Sequence, residues 1–432
     1  MFKAYPRHFV EITNEDYRRM ISFLFISRKQ QEELFQEFEQ QFARYIGTKF
    51  ALSVPSARLG LYATLYYFNF PRGAEVIISP FTHQSIFTIL KTFGLKPVFV
   101  DIEENTHNIN PQLVKRLITK KTQLLILTHM WGQPCDMDAF IKLKGEHNLK
   151  IIEDCAMSAG ATYKGQKTGS FFDASIFSFG KAKAICTFGG GMLCFSDIGM
   201  KKLISKLIND FHPPHAMVLT ISVINSVVAN VLTRPRLFFS LLYPLMRFLD
   251  IRDLYNPVEH KKNSEDILEC VPEEWKVKTS AFQSAVGVEQ LKTLDQRNNL
   301  RIQNAQLLNF LLKDIPKIDL PVAADLTRHI YLYYVVCIKQ TIDLNYLRKK
   351  LLELSVDTQL NELTNPEQLH IFGADSRNFP VFKKISASII VIPNGIYLNN
   401  QDIYIIADAL KRCLFYKEDD NLGRKKGSYK KR

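Results

Sequence analysis

Short apolar runs alternate with helical patterns from Gln30 to Phe195. A run that is apolar at nearly every position is typical of a strand buried on both faces, whereas a helix repeats apolar residues every three or four positions. The alternation predicts a parallel sheet covered by helices on both sides. Strands are predicted at Phe50 to Val54, Glu75 to Ser79, Lys96 to Asp101, Leu124 to Thr128, Lys150 to Glu153, Ala174 to Phe179 and Gly191 to Phe195. Helices are predicted at Ala57 to Phe68, Gln84 to Phe93, Asn110 to Ile118 and Met137 to His147.

The pattern changes in the last third of the chain. From Trp275 to Arg301, apolar residues recur at helical spacing, which predicts one long amphipathic helix. Predicted strands at Tyr331 to Ile338 and Ile389 to Ile392 then alternate with predicted helices at Asn345 to Leu354 and Gln401 to Lys411. This segment is therefore expected to form a smaller α+β domain.

One segment fits neither pattern. Residues 216–249 are apolar apart from scattered polar residues and Arg234, Arg236 and Arg247. A spanning helix needs about twenty strongly apolar residues, but Ser222, Asn225, Ser226 and Asn230 are expected to share one helical face. The pattern favours an amphipathic hairpin on a membrane or a partner surface. Packing on the protein's own body, or in a dimer interface, explains it equally well.

The distribution of charge along the chain indicates a separate C-terminal tail. The net charge is +13, and its one dense block is the C-terminal run from Arg424 to Arg432. Such a tail is usually solvated, although it could also contact anionic lipid. No nucleic-acid module accompanies it, so no nucleic-acid role is expected. We predict a large domain of residues 1–270, a small domain of residues 271–415 and a disordered tail of residues 416–432.

The seven cysteines show no CxxC pair and no regular spacing, so neither a metal site nor a disulfide framework is predicted. We interpret them as reduced and structural, which fits the cytosol. The N-terminal segment to Tyr45 carries charges throughout and lacks the apolar core of a signal peptide. A cytoplasmic protein is therefore expected.

Several residues with catalytic or binding potential directly follow the predicted strands. Ser56, His83, Asp154 and Lys183 each come just after a predicted strand end, so they are expected to meet in one cleft. An acid, then a serine, a lysine and a glycine cluster are what an enzyme needs to hold pyridoxal phosphate (PLP). Lys183 would bind the aldehyde covalently, and Asp154 would keep the pyridine nitrogen protonated. The alternatives for Asp154 are a helix cap or an ordinary ion pair.

The same segments carry a resemblance to a known family. They are Ser53 to Arg58, Pro97 to Asp101, Gly132 to Met137, Ile152 to Ala156, Gly160 to Gly165 and Phe177 to Lys183. Together and in this order they resemble the DegT/StrS family of PLP-dependent sugar aminotransferases. The resemblance implies a three-layer α/β/α large domain with a mostly parallel seven-stranded sheet. It also implies a homodimer whose sites are built across the interface.

The resemblance also assigns roles to residues. It places the covalent attachment on Lys183 rather than on Lys181, because the family lysine follows its Ser-Phe pair at the same distance. It implies phosphate binding by Ser56, Ala57 and Ser178, stacking of His83 on the cofactor ring, and pyridine binding by Asp154. Weaker substrate or partner-facing roles are expected for His129, Trp131, Arg58 and Asn209.

Two positions depart from the family pattern. Met157 stands where the family usually has a glutamine or histidine that reaches the cofactor's phenolic oxygen, and methionine cannot donate that hydrogen bond. Gly190 replaces a polar residue within the glycine cluster. These departures motivate an alternative, a protein of this fold that binds or regulates without transaminating.

The resemblance implies amino transfer from glutamate to a keto-sugar, expected to be nucleotide-linked, for cell-surface polysaccharide or glycolipid synthesis. A dehydrating relative of the family has histidine in place of the lysine, so Lys183 indicates transamination. If residues 216–249 and the basic tail act together, the enzyme would work on the inner face of a membrane.

Overall fold

The computed structural model describes residues 3–251, 268–339, 342–360, 363, 369, 371 and 373–415. The helices of its first part are α1 (Asn14–Phe23), α2 (Arg28–Ile46), α3 (Ala57–Phe68), α4 (Ser85–Thr92), α5 (Pro111–Leu117), α6 (Met137–Glu146) and α7 (Ile198–Asn209). They are followed by α8 (Ala216–Leu232), α9 (Pro235–Leu237), α10 (Tyr243–Ile251), α11 (Ala281–Leu312), α12 (Leu344–Glu353), α13 (Pro380–Ser386) and α14 (Asn400–Phe415). The predicted tail, residues 416–432, lies outside the described residues.

A central sheet of seven strands organises the fold, in the order β1-β9-β8-β5-β4-β2-β3. Strand β9 is antiparallel to both its neighbours, and the other pairs are parallel. The strands are β1 (Phe50–Val54), β2 (Glu75–Ile78), β3 (Lys96–Phe99), β4 (Thr122–Thr128), β5 (Lys150–Asp154), β8 (Ala174–Ser178) and β9 (Gly191–Phe195). All seven sequence-predicted strands are present, and the predicted fold class is confirmed.

The sheet is buried on both faces because its strands alternate between two cores. On β4, Leu124 and Ile126 belong to the large core beside α3 and α4, whereas Leu125 and Leu127 pack with Phe140 of α6 on the other face. Adjacent side chains of a strand point to opposite faces, which explains the division. The near-continuous apolar runs in the sequence follow from this double burial.

A second sheet of four strands lies towards the C-terminus, in the order β10-β12-β14-β13. Its strands are β10 (Ile318–Asp319), β12 (Tyr334–Ile338), β13 (Gln359–Leu360) and β14 (Ile389–Ile392). Its core also contains Tyr5 and Phe9 from the N-terminus, and Tyr5 pairs with Val356. The first residues of the chain thus join the smaller sheet, while the predicted division near residue 270 stays a prediction.

The long helix α11 connects the two sheets. It begins later than the pattern predicted, because the Ser280 side chain caps it and Gln283 completes a capping box. It ends at Leu312 rather than at Arg301. Helices α1, α2 and α7 were not predicted, nor was a small sheet of β6 (Thr162–Tyr163), β7 (Gln166–Lys167) and β11 (Thr327–Arg328).

The apolar segment forms two helical limbs. Helix α8 is the first limb, and the second runs from α9 through a π-helical turn, Phe238–Leu242, into α10. The limbs are bent by 80° at the break between them. Among the described residues no single helix is long and apolar enough to cross a membrane, although the bent pair passes that test together.

Candidate active site

The residues predicted to bind a ligand lie at one edge of the central sheet. Strands β1, β2, β4, β5 and β8 share one direction, so their carboxyl ends lie together. The oppositely directed β9 begins at the same edge with Gly191. Ligands of α/β sheets commonly bind at this edge. The predicted residues that end or follow these strands are Ser56, His83, His129, Asp154 and Ser178.

Glu153 and Asp154 are neighbours on β5 but face opposite sides of the sheet. Oε2 of Glu153 accepts the Gly169 N–H at 2.6 Å and lies 3.1 Å from Nε2 of His129. Nδ1 of His129 accepts a hydrogen bond from the Cys135 N–H at 3.1 Å. The ring proton is therefore on Nε2, and this N–H donates a hydrogen bond to Glu153. Glu153 also accepts backbone N–H groups through Oε1. Its carboxylate is therefore satisfied within the fold, which indicates a structural role.

The carboxylate of Asp154 is buried with fewer protein donors. It accepts the Ala156 N–H at 3.0 Å, and no helix begins in the turn that follows, so it is not a helix cap. Burial raises the pKa of Asp154, while this hydrogen bond and the positive charge of Lys183 lower it. Because burial is the largest effect, a cationic ligand would stabilise the ionised carboxylate further.

Lys183 lies in the loop that joins β8 to β9. Its backbone N–H donates to the Gly180 carbonyl at 3.1 Å, and the Thr187 N–H donates to the Phe179 carbonyl at 3.1 Å, which closes the loop over the end of β8. The Lys183 side chain is half-buried, whereas Lys181 is exposed. The positive charge of Lys183 lowers the pKa of Asp154, so the amine lies near enough to the buried acid to interact with it. The structure thus favours Lys183 over Lys181 as the reactive amine.

The N-terminus of α3 lies against the glycine cluster. Ser56 caps this twelve-residue helix, and its Oγ accepts the Leu59 N–H at 3.4 Å. Gly190 pairs with Ser56 and has φ +90°, while a Cβ at Gly191 would lie 2.9 Å from the Ala57 nitrogen. Only glycine allows this approach. The first N–H groups of the helix and the helix dipole both favour a bound anion at this terminus.

Ser178 ends β8 and His83 follows β2, both at the same edge of the sheet. Ser178 pairs directly with Gly191 and is half-buried, so its hydroxyl lies next to the glycine cluster. His83 is exposed in the loop after β2, and its Nδ1 lies 2.8 Å from Oγ of Ser85. That contact orients the imidazole ring of His83 at this edge of the central sheet.

His129 and Trp131 do not share one surface. His129 is fully buried and has both ring nitrogens in hydrogen bonds, so the expected substrate contact is not supported. Trp131 donates from Nε1 to Nδ1 of His107 at 2.9 Å and lines a cavity of about 850 Å³ with His329. Burial lowers the pKa of His107 to about 4 and that of His329 to about 3, so both are neutral at pH 7.

Three further predicted residues occupy separate places. Arg58, in the first turn of α3, lies over the Trp275 ring at 4.3 Å, which holds its charge near the helix N-terminus. Met157 is buried and contributes no side-chain donor. Asn209 is exposed at the end of α7.

Sequence reasoning missed the residues that close the site from the smaller sheet. Tyr333, Asn394 and Arg301 line a cleft with Lys183. The Tyr333 hydroxyl donates to the Ala182 carbonyl at 3.2 Å, and Oδ1 of Asn394 is buried with no partner among the described residues. More than a hundred residues separate all three from Lys183, so no local sequence pattern connects them with it.

This arrangement fits the predicted cofactor. Lys183 would take the aldehyde, Asp154 would face the pyridine nitrogen, and Ser56, Ala57 and Ser178 would hold the phosphate. The fit rests on the buried carboxylate that a cation would neutralise and on the glycine-covered helix terminus. Met157 is the one predicted contact that adds no polar group.

Comparison with known proteins points the same way. A model of the DegT/DnrJ/EryC1/StrS aminotransferase family matches residues 12–211 and 261–411. The chain is 31% identical over 304 residues to the spore coat polysaccharide biosynthesis protein SpsC of Bacillus subtilis, which covers 70% of this chain and 67% of that protein. It is 25% identical to dTDP-3-amino-3,6-dideoxy-alpha-D-galactopyranose transaminase of Aneurinibacillus thermoaerophilus, over 87% of this chain and 89% of the relative.

A solved structure has the same fold. Helicobacter pylori PseC, an aminotransferase involved in the biosynthesis of pseudoaminic acid, superposes with a TM-score of 0.74 at 18% identity. The match covers 95% of this chain and 99% of PseC. The likeness therefore extends through both sheets.

Proposed function

The chain belongs to the DegT/DnrJ/EryC1/StrS aminotransferase family, and on that premise we propose that it transfers an amino group from glutamate to a nucleotide-linked keto-sugar. Membership of the family makes it a PLP-dependent aminotransferase. The alternative of a binding or regulatory module is not favoured, because the named relatives include a transaminase. The choice of substrate is supported by the relatives' names, which include a dTDP-sugar transaminase and a polysaccharide biosynthesis protein.

The observation that carries the proposal is that buried Asp154 ends β5 while half-buried Lys183 follows the neighbouring β8 at the same sheet edge, where its charge lowers the pKa of Asp154. PLP, when bound, supplies an aldehyde carbon and an electron-withdrawing ring. Asp154 would keep the ring nitrogen protonated, because its own burial makes a cation a favourable neighbour. Lys183 would form the covalent link and then carry a proton as a general acid and base.

Other residues of the chain would position these two. Tyr333 holds the loop of Lys183 through the Ala182 carbonyl, so the amine would keep one orientation while it exchanges protons. The helix terminus at Ser56 would bind the phosphate and fix the cofactor's position. The cleft between Lys183 and the smaller sheet has polar walls, including Asn394, which suits a hydroxylated substrate.

We extend the proposal to a cytoplasmic homodimer that makes amino-sugars for a surface polysaccharide or glycolipid. The five buried cysteines, none in a disulfide, suit a reducing compartment. Asn209 is exposed and is therefore accessible to a second subunit. Light scattering should give twice the chain mass, and a monomer carrying full activity would contradict a shared site.

The test of function is a two-step spectroscopic assay on the full chain with PLP. Glutamate alone should bleach the visible band of the bound cofactor, and a nucleotide-linked 4-keto- or 3-keto-sugar should restore it with formation of an amino-sugar detectable by mass. Bleaching without restoration by any keto-sugar would contradict the substrate class. A band that glutamate leaves unchanged would contradict amino transfer itself.

A further inference from the structure

Helix α8 turns Ser222, Ser226 and Asn230 to the protein, whereas most of its exposed side chains are apolar and Thr220 and Asn225 are the exposed polar ones. Ser226 and Asn230 are fully buried. The Ser222 hydroxyl donates to the Phe188 carbonyl at 2.7 Å, and Nδ2 of Asn230 donates to the Val10 carbonyl at 2.5 Å and to the Tyr397 hydroxyl at 2.7 Å. This is the reverse of the usual surface helix, whose apolar stripe faces the core.

The outward side of α8 is correspondingly apolar. Met217 is 76% exposed and Val218 is 65% exposed, and four more residues follow at helical spacing. The full set is Met217, Val218, Ile221, Ile224, Val228 and Val231. A contiguous exposed apolar face of this kind marks an interaction site, because water would otherwise cover it at a free-energy cost.

The second limb also exposes apolar residues. Leu237, Leu241, Leu245 and Phe248 are exposed at spacings of four, four and three residues. The opposite side of the limb is held down, since Phe238 and Tyr243 are buried with Ala4 and Leu352, and Asp250 forms a buried ion pair with Arg348. We call these four residues, together with the six of α8, the outer apolar face.

Helix α1 adds to the same side. Tyr17 and Met20 pack with Val223 and Val227 of α8 in one cluster, and the Tyr17 hydroxyl donates to Oδ1 of Asn230 at 2.9 Å. The residues at the end of α1 that follow this contact are exposed and apolar, and they are Ile21, Leu24 and Phe25. Two separate parts of the chain therefore present apolar residues beside each other.

The charged residues within the segment that carries this face have a single sign. Between Asp210 and Asp250 the sequence has no acidic residue, while Arg234, Arg236 and Arg247 are exposed. A second copy of the chain seated face to face would bring these arginines together without counter-charges from the same segment. An anionic lipid headgroup layer supplies both the apolar interior and the opposite charge.

We infer that the outer apolar face docks in the plane of an anionic membrane and makes this protein a peripheral membrane enzyme. The limbs lie in the interface rather than span it, because Ser222 and Asn230 are bound to the body of the protein and the two limbs are bent by 80°. The apolar side chains enter the acyl boundary, and the arginines contact the headgroups. The inference does not depend on which substrate the active site accepts.

The test is sedimentation of the full chain with lipid vesicles. Most of the protein should sediment with phosphatidylcholine vesicles that contain phosphatidylglycerol, and much less with pure phosphatidylcholine. Binding should fall several-fold when salt screens the headgroup charge. The triple variant Met217→Glu, Ile221→Glu, Ile224→Glu should bind at least tenfold more weakly, since each position loses apolar contact and adds a repelled charge.

A matched control changes equally exposed apolar residues elsewhere. Ile141→Glu, Phe310→Glu, Val322→Glu should sediment like the unchanged chain, because these side chains are 48%, 63% and 58% exposed on other elements. Both triple variants should keep the cofactor band and the response to glutamate, which separates a failure of docking from a failure of the proposed function.

Three results would overturn the inference. The unchanged chain could stay in the supernatant with anionic vesicles, or bind neutral vesicles equally well. Alternatively, without lipid, light scattering could show that the Met217, Ile221 and Ile224 variant forms a particle of half the native mass. That last result would mean that a second copy of the chain covers the face.

Discussion

The edge of the central sheet and helix α8 both break the rule that polar groups face water and apolar groups face the core, and they break it in opposite ways. At the sheet edge, Asp154 is a buried charge whose ionised form a ligand would stabilise. On α8, Asn230 is buried and fully bonded, whereas Met217 and its neighbours are apolar and exposed. The first mismatch indicates a charged ligand, and the second indicates an apolar one.

The comparison teaches that burial alone does not identify a functional residue. Glu153, one residue from Asp154, is equally buried, but the fold itself satisfies its carboxylate. Asn230 is as buried as either acid and is also satisfied. Asp154 differs because its buried negative charge is not fully compensated by the protein. Substitutions that remove this charge should therefore affect the sheet edge and α8 differently.

The largest effect is expected from Lys183→Ala. Without the amine there is no covalent attachment and no proton carrier, so turnover should fall on the order of a thousandfold or more. Borohydride treatment followed by mass spectrometry should find no cofactor on the chain. The control is Lys181→Ala, whose side chain is exposed in the same loop and should leave both readings unchanged. A stable adduct in the Lys183 variant would transfer the role to Lys181.

The next effect distinguishes the two neighbouring acids. Asp154→Asn should lower turnover roughly a hundredfold, since an amide does not hold a pyridine nitrogen protonated, and each pKa unit corresponds to a factor of ten. Its thermal stability without cofactor should not fall, because a buried charge has been removed. Absorbance titration with PLP and calorimetry measure the two quantities.

Glu153→Gln is the matched change on the other face of β5. It should lower the free energy of unfolding by about 1–3 kcal/mol, because a side-chain NH₂ group would meet the N–H donors of Gly169 and His129. Equal losses of stability in the two variants would mean that Asp154 is structural and would remove the contrast with Glu153.

The sequence predicted the sheet edge well and the α8 surface only in part. Strand β5 and the loop of Lys183 carry local patterns, namely an apolar run ending in an acid and a lysine before glycines, so their place followed from topology. On α8 the apolar and polar positions were evident in the sequence, but periodicity does not say which side meets the protein. Asn225, grouped with the buried polar residues by spacing, is in fact exposed.

The residues that close the cleft could not be predicted at all. Tyr333 and Asn394 approach Lys183 only because α11 brings the smaller sheet back to the large one. Likewise His129 follows β4 as a substrate residue would, yet its ring turns inward to Glu153. Long-range packing decides both positions, and a single sequence carries no signal for it.

A smaller effect tests whether α8 is held by its polar side. Asn230→Leu should lower the free energy of unfolding by about 2–3 kcal/mol, since it leaves the Val10 carbonyl and the Tyr17 and Tyr397 hydroxyls without their partner. Thermal or denaturant unfolding measures the loss.

Ile221→Ser is the control on the outer side of the same helix. Its side chain already meets water, so stability should change by less than about 0.5 kcal/mol. If Ile221→Ser were instead the more damaging substitution, the outer face would be packed on the protein in solution, and the contrast between the two regions would fail.

The smallest effect is expected from a fall in pH. Acid should lower the stability of the active-site region at a higher pH than it lowers the stability of α8. Folding lowers the pKa of His107 to about 4 and that of His329 to about 3 from the ordinary 6.5, so between these values the unfolded chain binds more protons. Stability is therefore complete above pH 6.5 and declines as pH falls towards 4, by roughly 1–2 kcal/mol per histidine at pH 5. His107→Gln keeps an acceptor for the Trp131 N–H and should lessen this loss. Hydrogen exchange at pH 7 and pH 5 locates it, and an equal loss of amide protection in residues 216–232 would show that the two regions respond to acid alike.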